Sequence, residues 1–518
     1  MTSKSIQYYK WSVKLYKELF QSFRSKVNMK SIQFYMPIYS LYFHVHNTLK
    51  SNLKIDLRRN YYLRRIKEIT KERYYNSNML LIGSVYDSSK NRLEDKAMFC
   101  KCIPILDPVH CINNNYNLVT TNNHHLPSSY NFNTFKKIND MNNTAYIDVF
   151  FSFLCGQLTS SNKSPSFPLY YGSMNGLGKY KYDITEEYHD MKVDKCFNKT
   201  LDKGFTIDVY IDNEFENLSE HSDTDSIESI SRSDMSDCSL RSSRSGGSLR
   251  SSMSSMSSMS PMSSRSSRSS RSSRSSDSYT NNDYIATIKD TPLQYLFIEQ
   301  MEATLEDLIY DDISGDVLTS CLFQIAFALT YLQKHFRFTH NDLHINNVMY
   351  ATTEKEYLYY KYNNLYYRVP TYGKIFKIID FGRAIFTHNN KVFMNDVFSN
   401  YGEAGGQYSH PSQVDFKVTT DKSPVLPNYH FDLCRLSMTI LEEIDSDKYP
   451  VELTGFLNQM CVDNSGKSFC ELNDDFRLYI SIAKEAHNSL PREIITNDIF
   501  KTYRVSKKIF PRKSFYTV

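Results

Sequence analysis

Residues 339–350 read THNDLHINNVMY, and residues 374–386 read KIFKIIDFGRAIF. The first stretch carries Asp342 and Asn347 ahead of an apolar run, and the second carries Asp380 directly after a pattern typical of a buried strand. Phosphoryl transfer needs a carboxylate that accepts a proton and oxygen side chains that hold Mg2+. The two stretches therefore nominate Asp342 as the proton acceptor and Asn347 with Asp380 as the metal ligands.

Together the two stretches resemble the catalytic loop and the metal-binding triplet of the protein-kinase superfamily. The matching residues are His340, Asp342 and Asn347 in the loop and Asp380, Phe381 and Gly382 in the triplet. A D-F-G triplet alone is a common turn, so the resemblance depends on finding both motifs in this order. It implies ATP and Mg2+ as cofactors, and structural roles for His340, Phe381 and Gly382.

The spacing between the two motifs is unusual, since Asp342 and Asp380 are 38 residues apart and the family usually keeps them closer. The excess, residues 354–373, alternates apolar and polar side chains around Asn363 and Asn364. This pattern predicts a lengthened hairpin between the two catalytic segments, which would leave the site intact.

Upstream, short apolar runs in residues 79–105 surround a polar turn and predict strand, hairpin and strand. AMFCKC, residues 97–102, resembles the family's V-A-I-K strand, which implies that Lys101 pairs with the α- and β-phosphates. The resemblance also implies that Gly83, one glycine where the family has three, lies in the phosphate loop, and that Val85 packs on adenine. The alternative for Lys101 is a solvated lysine that guards a sheet edge.

Residues 145–158, AYIDVFFSFLCGQL, predict a helix on which Asp148 would pair with the lysine in place of the family's glutamate. Haspin-like kinases have an acidic residue heading a similar run. Against this pairing, Ser152 stands where the family prefers an apolar residue. The alternative is that Asp148 only interacts with the dipole at a helix N-terminus.

Two further segments resemble structural parts of the same family. Residues 294–309, QYLFIEQMEATLEDLI, resemble the fifth strand and hinge, which implies that Glu299 and Met301 offer backbone groups to the adenine edge. Residues 427–444 resemble the helix whose aspartate, here Asp432, anchors the backbone of the catalytic loop.

Two positions in the catalytic loop bear on substrate and regulation. Asn341 stands where many regulated kinases have an arginine, so no cation is there to receive an activation-loop phosphate. His344 replaces the lysine of serine/threonine kinases, and D-L-H occurs both in haspin-like kinases and in choline and aminoglycoside kinases. The small-molecule relatives seldom carry D-F-G. We therefore expect a serine/threonine-protein kinase resembling those of large DNA viruses, with a small-molecule kinase or a pseudokinase scaffold as alternatives.

The resemblance to protein kinases, together with composition, implies the organisation of the 518 residues. We expect an α+β, bilobal kinase fold, with a small antiparallel sheet in one lobe and a mostly helical second lobe. The expected segments are a helical basic extension at 1–75, a kinase domain at 76–500 and a basic tail at 501–518. The lobes would divide at 300 and 301, and the first would be interrupted by an Asn-rich loop at 106–143 and a serine- and arginine-rich insert at 214–283.

The same composition predicts the setting of the protein. The insert cannot bury enough apolar surface to order, so we interpret it as a disordered surface tether, with phosphorylation as an accompaniment. The alternative is that its arginines and serines form a phosphoacceptor or nucleic-acid-contacting segment. The formal charge of +4 is too mild to favour nucleic-acid binding, and no stretch reads as a membrane span. The ten cysteines include no C-x-x-C pair, which favours reduced thiols and an intracellular location, cytoplasmic or nuclear, in a host cell or virion. The protein substrate is not predicted.

Overall fold

The computed structural model describes residues 5–45, 53–116, 125–129, 135–211, 228–229, 282–399, 402–410, 425–472, 476–511 and 514–518. The predicted insert at 214–283 lies outside these residues except for two short pieces, and much of the predicted Asn-rich loop also lies outside them. The same holds for residues 411–424, which belong to the segment that follows the D-F-G triplet.

The fold is mixed α/β, and its largest sheet is antiparallel throughout. The strands up to residue 299 are β1 Tyr8–Lys10, β2 Lys30–Gln33, β3 Ile55–Leu57, β4 Tyr61–Glu72, β5 Met79–Asp87, β6 Arg92–Pro104, β7 Tyr170–Asp183, β8 Phe205–Ile211, β9 Glu228–Ser229 and β10 Asn282–Glu299. Six of them pair in the order β2-β7-β10-β6-β5-β4, β8 pairs with the first part of β10, and β9 pairs with β8. β1 and β3 form a separate pair.

The hairpin of β5 and β6 confirms the strand, hairpin and strand predicted at 79–105. Its turn is closed by Asn91, whose φ of +52° is a left-handed conformation that asparagine tolerates better than most residues. The carboxylate of Asp87 accepts a hydrogen bond from the backbone N–H of Ser89 at 2.9 Å. β6 lies between β5 and β10, so Lys101 is not on a sheet edge.

The prediction of a helical extension at 1–75 is wrong for its second half. Only α1, Val13–Lys26, is a long helix among the described residues of this segment, and β4 pairs along β5. Leu63, Ile66 and Ile69 recur every three residues, which suits a helix, but pairing with β5 outweighs that local preference. The extension therefore contributes a strand to the main sheet.

Helices surround the sheet and fill the C-terminal half. After α1 they are α2 Pro108–Ile112, α3 Lys136–Asn139, α4 Thr144–Ser160, α5 Tyr188–Met191, α6 Lys195–Thr200, α7 Leu305–Tyr310, α8 Gly315–Phe336, α9 Phe431–Glu443, α10 Val451–Met460, α11 Phe476–Glu485 and α12 Pro491–Ile494. Among the described residues, α8 alone is long and apolar enough to cross a membrane. Because 78% of its most apolar window is buried inside the protein, it has the character of a core helix.

The C-terminal half is less purely helical than expected. Its strands are β11 Ala303–Thr304, β12 Val348–Thr352, β13 Tyr357–Tyr362, β14 Leu365–Pro370, β15 Lys374–Ile378, β16 Ile385–His388, β17 Lys391–Met394 and β18 Tyr516–Thr517. They form three small sheets, β11-β12-β15, β14-β13-β18 and β16-β17. The hairpin predicted between the catalytic segments is confirmed as β13 and β14, and Tyr360 and Tyr367 anchor it against Phe323 of α8.

Candidate active site

Lys101 lies between two carboxylates that come from distant parts of the chain. Its Nζ is 2.7 Å from Oδ2 of Asp148 in α4 and 2.8 Å from Oδ1 of Asp380. The Asp148 side chain is 2% exposed, whereas the side chains of Lys101 and Asp380 are 23% and 28% exposed. The cation therefore bridges a buried anion and one that solvent or a ligand can reach.

Asp148 also ties α4 to the D-F-G triplet. The helix begins after Asn143, whose side chain accepts from the N–H of Ala145, and Asp148 lies just beyond the first turn. The Oδ1 of Asp148 accepts a hydrogen bond from the backbone N–H of Phe381 at 3.0 Å and one from the Ser152 hydroxyl at 3.4 Å. Its polar contacts are thus with Lys101, Phe381 and Ser152, so it does more than interact with a helix dipole.

The D-F-G triplet is held in an uncommon backbone conformation. Asp380 has a φ of +62°, a left-handed conformation that costs a residue with a side chain about 1–2 kcal/mol. The strain is offset by burial of Phe381, whose ring lies 5.0 Å from Phe151 of α4. The carbonyl of Gly382 accepts a hydrogen bond from the Asn395 amide at 2.6 Å, and that amide also bonds Thr144 at the start of α4.

Asp432 anchors the catalytic loop from α9. Its carboxylate accepts hydrogen bonds from the backbone N–H groups of His340 and Asn341 at 2.9–3.0 Å. The Nε2 of His340 donates to the carbonyl of Ile379 at 2.9 Å. These contacts join the catalytic loop to the segment that carries Asp380.

Asn347 and Asp342 follow on the same loop. The Nδ2 of Asn347 donates to the backbone carbonyl of Asp342 at 2.8 Å and lies 3.0 Å from Nε2 of His344. Burial lowers the pKa of His344, and the Nδ1 of its neutral ring already accepts a hydrogen bond from the backbone N–H of Asn346 at 3.3 Å. With Nδ2 of Asn347 turned towards the carbonyl of Asp342, its side-chain oxygen is the atom left to ligate a metal.

The electrostatics of the Lys101 group follow from burial and ion pairing. Burial opposes the charge on Lys101, but the two carboxylates outweigh it and raise its pKa. Burial also disfavours the charged form of Asp380, yet the ion pair and hydrogen bond with Lys101 lower its pKa to about 2. For Asp148 burial is the larger effect, and its pKa is raised despite Lys101. Of the two carboxylates, the solvent-reachable one is thus the more strongly held as an anion.

The residues expected at the hinge lie at the end of β10. Lys101 is directly opposite Leu296, and Glu299 is opposite Met98. The N–H of Glu299 donates to Leu169, and its carboxylate accepts from Lys377 at 2.6 Å. The Glu299 N–H is therefore engaged within the fold, while Met301 is a buried residue just beyond the strand.

Gly83 and Val85 are not brought to Lys101. They lie within β5 opposite Lys96 and Glu94, and Val85 is thus displaced by about 23 Å along β6 at ~3.3 Å per residue. A side chain at Gly83 would meet Leu63 and Met98 within 3 Å, so close packing explains this glycine. Val85 precedes Lys101 by 16 residues, close to the separation that the family keeps, but the long hairpin of β5 and β6 separates the two side chains.

Leu80 and Phe99 are apolar residues on the sheet face of Lys101 that the motif comparison did not single out. They are directly opposite each other on β5 and β6, and both are half-buried. Phe99 precedes Lys101 by two positions, so it lies on the same face of the sheet. Both lie in continuous apolar runs, so the sequence does not distinguish them from their buried neighbours, and only the strand register places Leu80 on the face of Lys101.

Among the described residues, no group of three or more His, Cys, Asp or Glu side chains could hold a metal by itself. A metal at Asn347 and Asp380 would have to complete its shell with oxygens from a ligand or water. This is how proteins commonly bind Mg2+ next to phosphates.

Comparison with known proteins gives partial similarities to two viral proteins. No protein-family model matches the chain. A stretch covering 26% of the chain is 28% identical over 151 residues to an "Uncharacterized protein" of Invertebrate iridescent virus 6. Another, covering 16% of the chain, is 33% identical over 99 residues to a "Putative serine/threonine-protein kinase" of Acanthamoeba polyphaga mimivirus. The matched regions span 25% of the length of each relative.

Proposed function

We propose that the protein is an ATP- and Mg2+-dependent protein kinase that transfers the γ-phosphate to serine or threonine hydroxyls of proteins. The observation that carries the proposal is the pair of ion pairs from Lys101, to Asp148 at 2.7 Å and to Asp380 at 2.8 Å. In protein kinases, a strand lysine paired with an acidic residue on a helix and an aspartate that binds the metal must both be in place. Here the lysine–acid pair is present, and the same ammonium also contacts Asp380, the residue proposed to bind the metal.

The roles of the site residues follow from their chemistry. Lys101 would contact the nucleotide phosphates, because its ammonium is held where Asp380 is partly exposed. Mg2+, when bound, neutralises phosphate charge, and Asp380 with the free carbonyl oxygen of Asn347 fits its preference for oxygen ligands. Asp342, half-exposed on the loop that Asp432 anchors, would accept the proton of the attacking hydroxyl.

In this proposal the molecule has two lobes and ATP lies in the cleft between them. The sheet with α4 would be the small lobe, and the helices from α7 onward would form most of the large one. Leu80 and Phe99 supply apolar surface on the lysine side, in place of Val85, and the backbone near Met301 would meet the adenine edge. Such a pocket has the usual character of a cofactor site, apolar walls with few polar groups.

The serine/threonine assignment is supported by the partial similarity to the mimivirus protein. His344 on the catalytic loop favours a second candidate, a small-molecule kinase, because D-L-H also occurs in that class. A pseudokinase that presents the serine- and arginine-rich insert is the non-enzymatic candidate.

One paired measurement separates the three candidates. We expect Asp380→Asn to weaken MgATP binding and turnover together, and Asp342→Asn to keep MgATP affinity within a few-fold while turnover falls by ~10²-fold or more. Calorimetric MgATP affinity and labelled phosphate transfer are measured for the parent and both variants, with basic proteins, acidic proteins and small amines as acceptors. Transfer only to a non-protein acceptor identifies a small-molecule kinase, and no transfer in the parent identifies a pseudokinase. Undiminished transfer by Asp342→Asn would refute the catalytic-loop assignment.

A further inference from the structure

Tyr479 brings a hydroxyl group to Asp342 from a distant helix. It lies on α11, and its hydroxyl is 3.5 Å from Oδ1 of Asp342. This hydrogen bond reaches the Asp342 carboxylate itself, whereas Asn347 bonds the backbone carbonyl of Asp342. Catalytic hydrogen bonds are often this long before substrate binds.

The ring of Tyr479 is fixed by its neighbours. It is 5% exposed, and its centroid lies 6.0 Å from the ring of Phe431 and 6.4 Å from that of Phe476. The guanidinium of Arg435 lies 5.4 Å from the same ring. These neighbours pack around the ring and so restrict where its hydroxyl can lie.

The hydroxyl is suited to donate. Burial raises the pKa of Tyr479, and the charge of Asp342 raises it further against the opposing effect of Arg435. The phenol therefore stays protonated at neutral pH, and its O–H donates a hydrogen bond to the carboxylate.

We propose that Tyr479 is a positioning residue that fixes Asp342 for the attack of the acceptor hydroxyl. Its hydroxyl holds Oδ1 of Asp342, which leaves Oδ2 to take the acceptor's proton. The acceptor oxygen then attacks the γ-phosphorus, and the bond between that phosphorus and the bridging oxygen of ADP breaks. This inference rests on the proposed function. Tyr479 lies outside both sequence motifs, so the motif comparison could not have assigned it this role.

The test is Tyr479→Phe, which keeps the ring and removes only the hydroxyl. We expect kcat to fall by about tenfold, the scale of a lost hydrogen bond to a charged group, while KM for MgATP and for the protein acceptor stays within about twofold. In the double variant with Asp342→Asn, the Tyr479 change should add little further loss, because the carboxylate it positions is already gone. A merely structural role would lower both backgrounds by the same factor.

Tyr449→Phe is the matched control, because it removes a buried tyrosine hydroxyl that donates to the carbonyl of Ile313 at 2.8 Å instead of to Asp342. Its kcat should equal that of the parent. An unchanged kcat in Tyr479→Phe, full additivity with Asp342→Asn, or phosphate found on Tyr479 itself would each overturn the inference. If the parent protein transfers no phosphate, both the proposed function and this role of Tyr479 are refuted. If the parent and Tyr479→Phe are equally active, only the role of Tyr479 is refuted.

Discussion

Replacing Lys101 should affect both phosphate transfer and the stability of the fold. Lys101→Met would leave the buried Asp148 without its cation, and breaking a buried ion pair costs on the order of 3–5 kcal/mol. We expect loss of phosphate transfer together with a lower thermal midpoint. Lys96→Met, in a partly exposed pair with Glu94 on the same strand, should change neither. Labelled transfer and thermal unfolding measure the two effects, and retained turnover would assign the phosphate contact to another residue.

The pH dependence of the Lys101 variant has a definite sign. Asp380 has a folded-state pKa of about 2, below its value of about 3.9 in unfolded chains, so it stabilises the fold above pH ~4 and loses that contribution as pH falls towards 2. Lys101→Met lacks this contribution at every pH. The stability difference between parent and variant should therefore shrink on acidification in denaturant titrations, and a constant difference would contradict the ion-pair account.

Asn341 stands where many regulated kinases have an arginine that binds an activation-loop phosphate, and the hydrogen bonds of its side chain are with uncharged groups. It is fully buried, its Oδ1 accepts from the Tyr408 hydroxyl at 2.9 Å, and its Nδ2 donates to the carbonyl of Arg383 at 3.0 Å. We therefore expect phosphatase-treated protein to start turnover without a lag. Tyr408→Phe should lower turnover a few-fold, still without a lag. A lag that preincubation with ATP removes would contradict this prediction.

Residues of the site differ in how far the sequence predicts them. Asp342, Asn347 and Asp380 lie in two motifs, each an uninterrupted stretch of sequence, so these residues can be nominated from the sequence alone. Leu80 depends on strand register, and Tyr479 depends on how α11 packs against the catalytic loop. Neither register nor packing between distant elements can be read from local pattern.

At the scale of elements, α1 decides whether the N-terminal segment is an appendage or part of the fold. Its Phe23 is fully buried and lies 5.2 Å from Phe297 of β10, on the sheet face opposite α4. Whether this extension packs on the rest of the protein could not be predicted from the sequence, because the partner surface of α1 includes strands distant along the chain, among them β4 at Tyr61–Glu72 and β10 at Asn282–Glu299.

Phe23→Ala should destabilise the protein by about 3–5 kcal/mol, as truncation of a buried phenylalanine does. Tyr310→Ala, at a side chain that is 90% exposed, should change the free energy of unfolding by less than about 0.5 kcal/mol. Denaturant unfolding measures both. A loss below about 1 kcal/mol for Phe23→Ala would mean that α1 is not part of the cooperative core.

At the scale of the whole molecule, the serine- and arginine-rich insert joins two strand ends that already meet. Ile211, the last residue of β8, lies opposite Asn282, the first of β10. A hairpin of that kind closes with two to five residues, so the long connection is not needed for strand pairing.

Replacing residues 214–281 with a short Gly/Ser linker should therefore preserve the unfolding transition and transfer to an external substrate. The boundary stops before the predicted 283 because β10 begins at Asn282. A Gly/Ser linker of the original length is the control for loop length. Loss of transfer with an intact unfolding transition would make the insert part of the enzyme.

The hydrogen bonds of Asp148 have a thermodynamic consequence. One carboxylate binds both the Lys101 ammonium and the backbone N–H of Phe381. A shift in the position of α4 is therefore coupled to a shift in the position of the D-F-G triplet. Linkage is reciprocal. A nucleotide that binds better when Asp148 is paired must favour the paired position of α4, and a change that disfavours that position must weaken nucleotide binding by the same factor. Under the proposed function, changes on the far side of α4 would then alter the affinity for MgATP without touching its binding site.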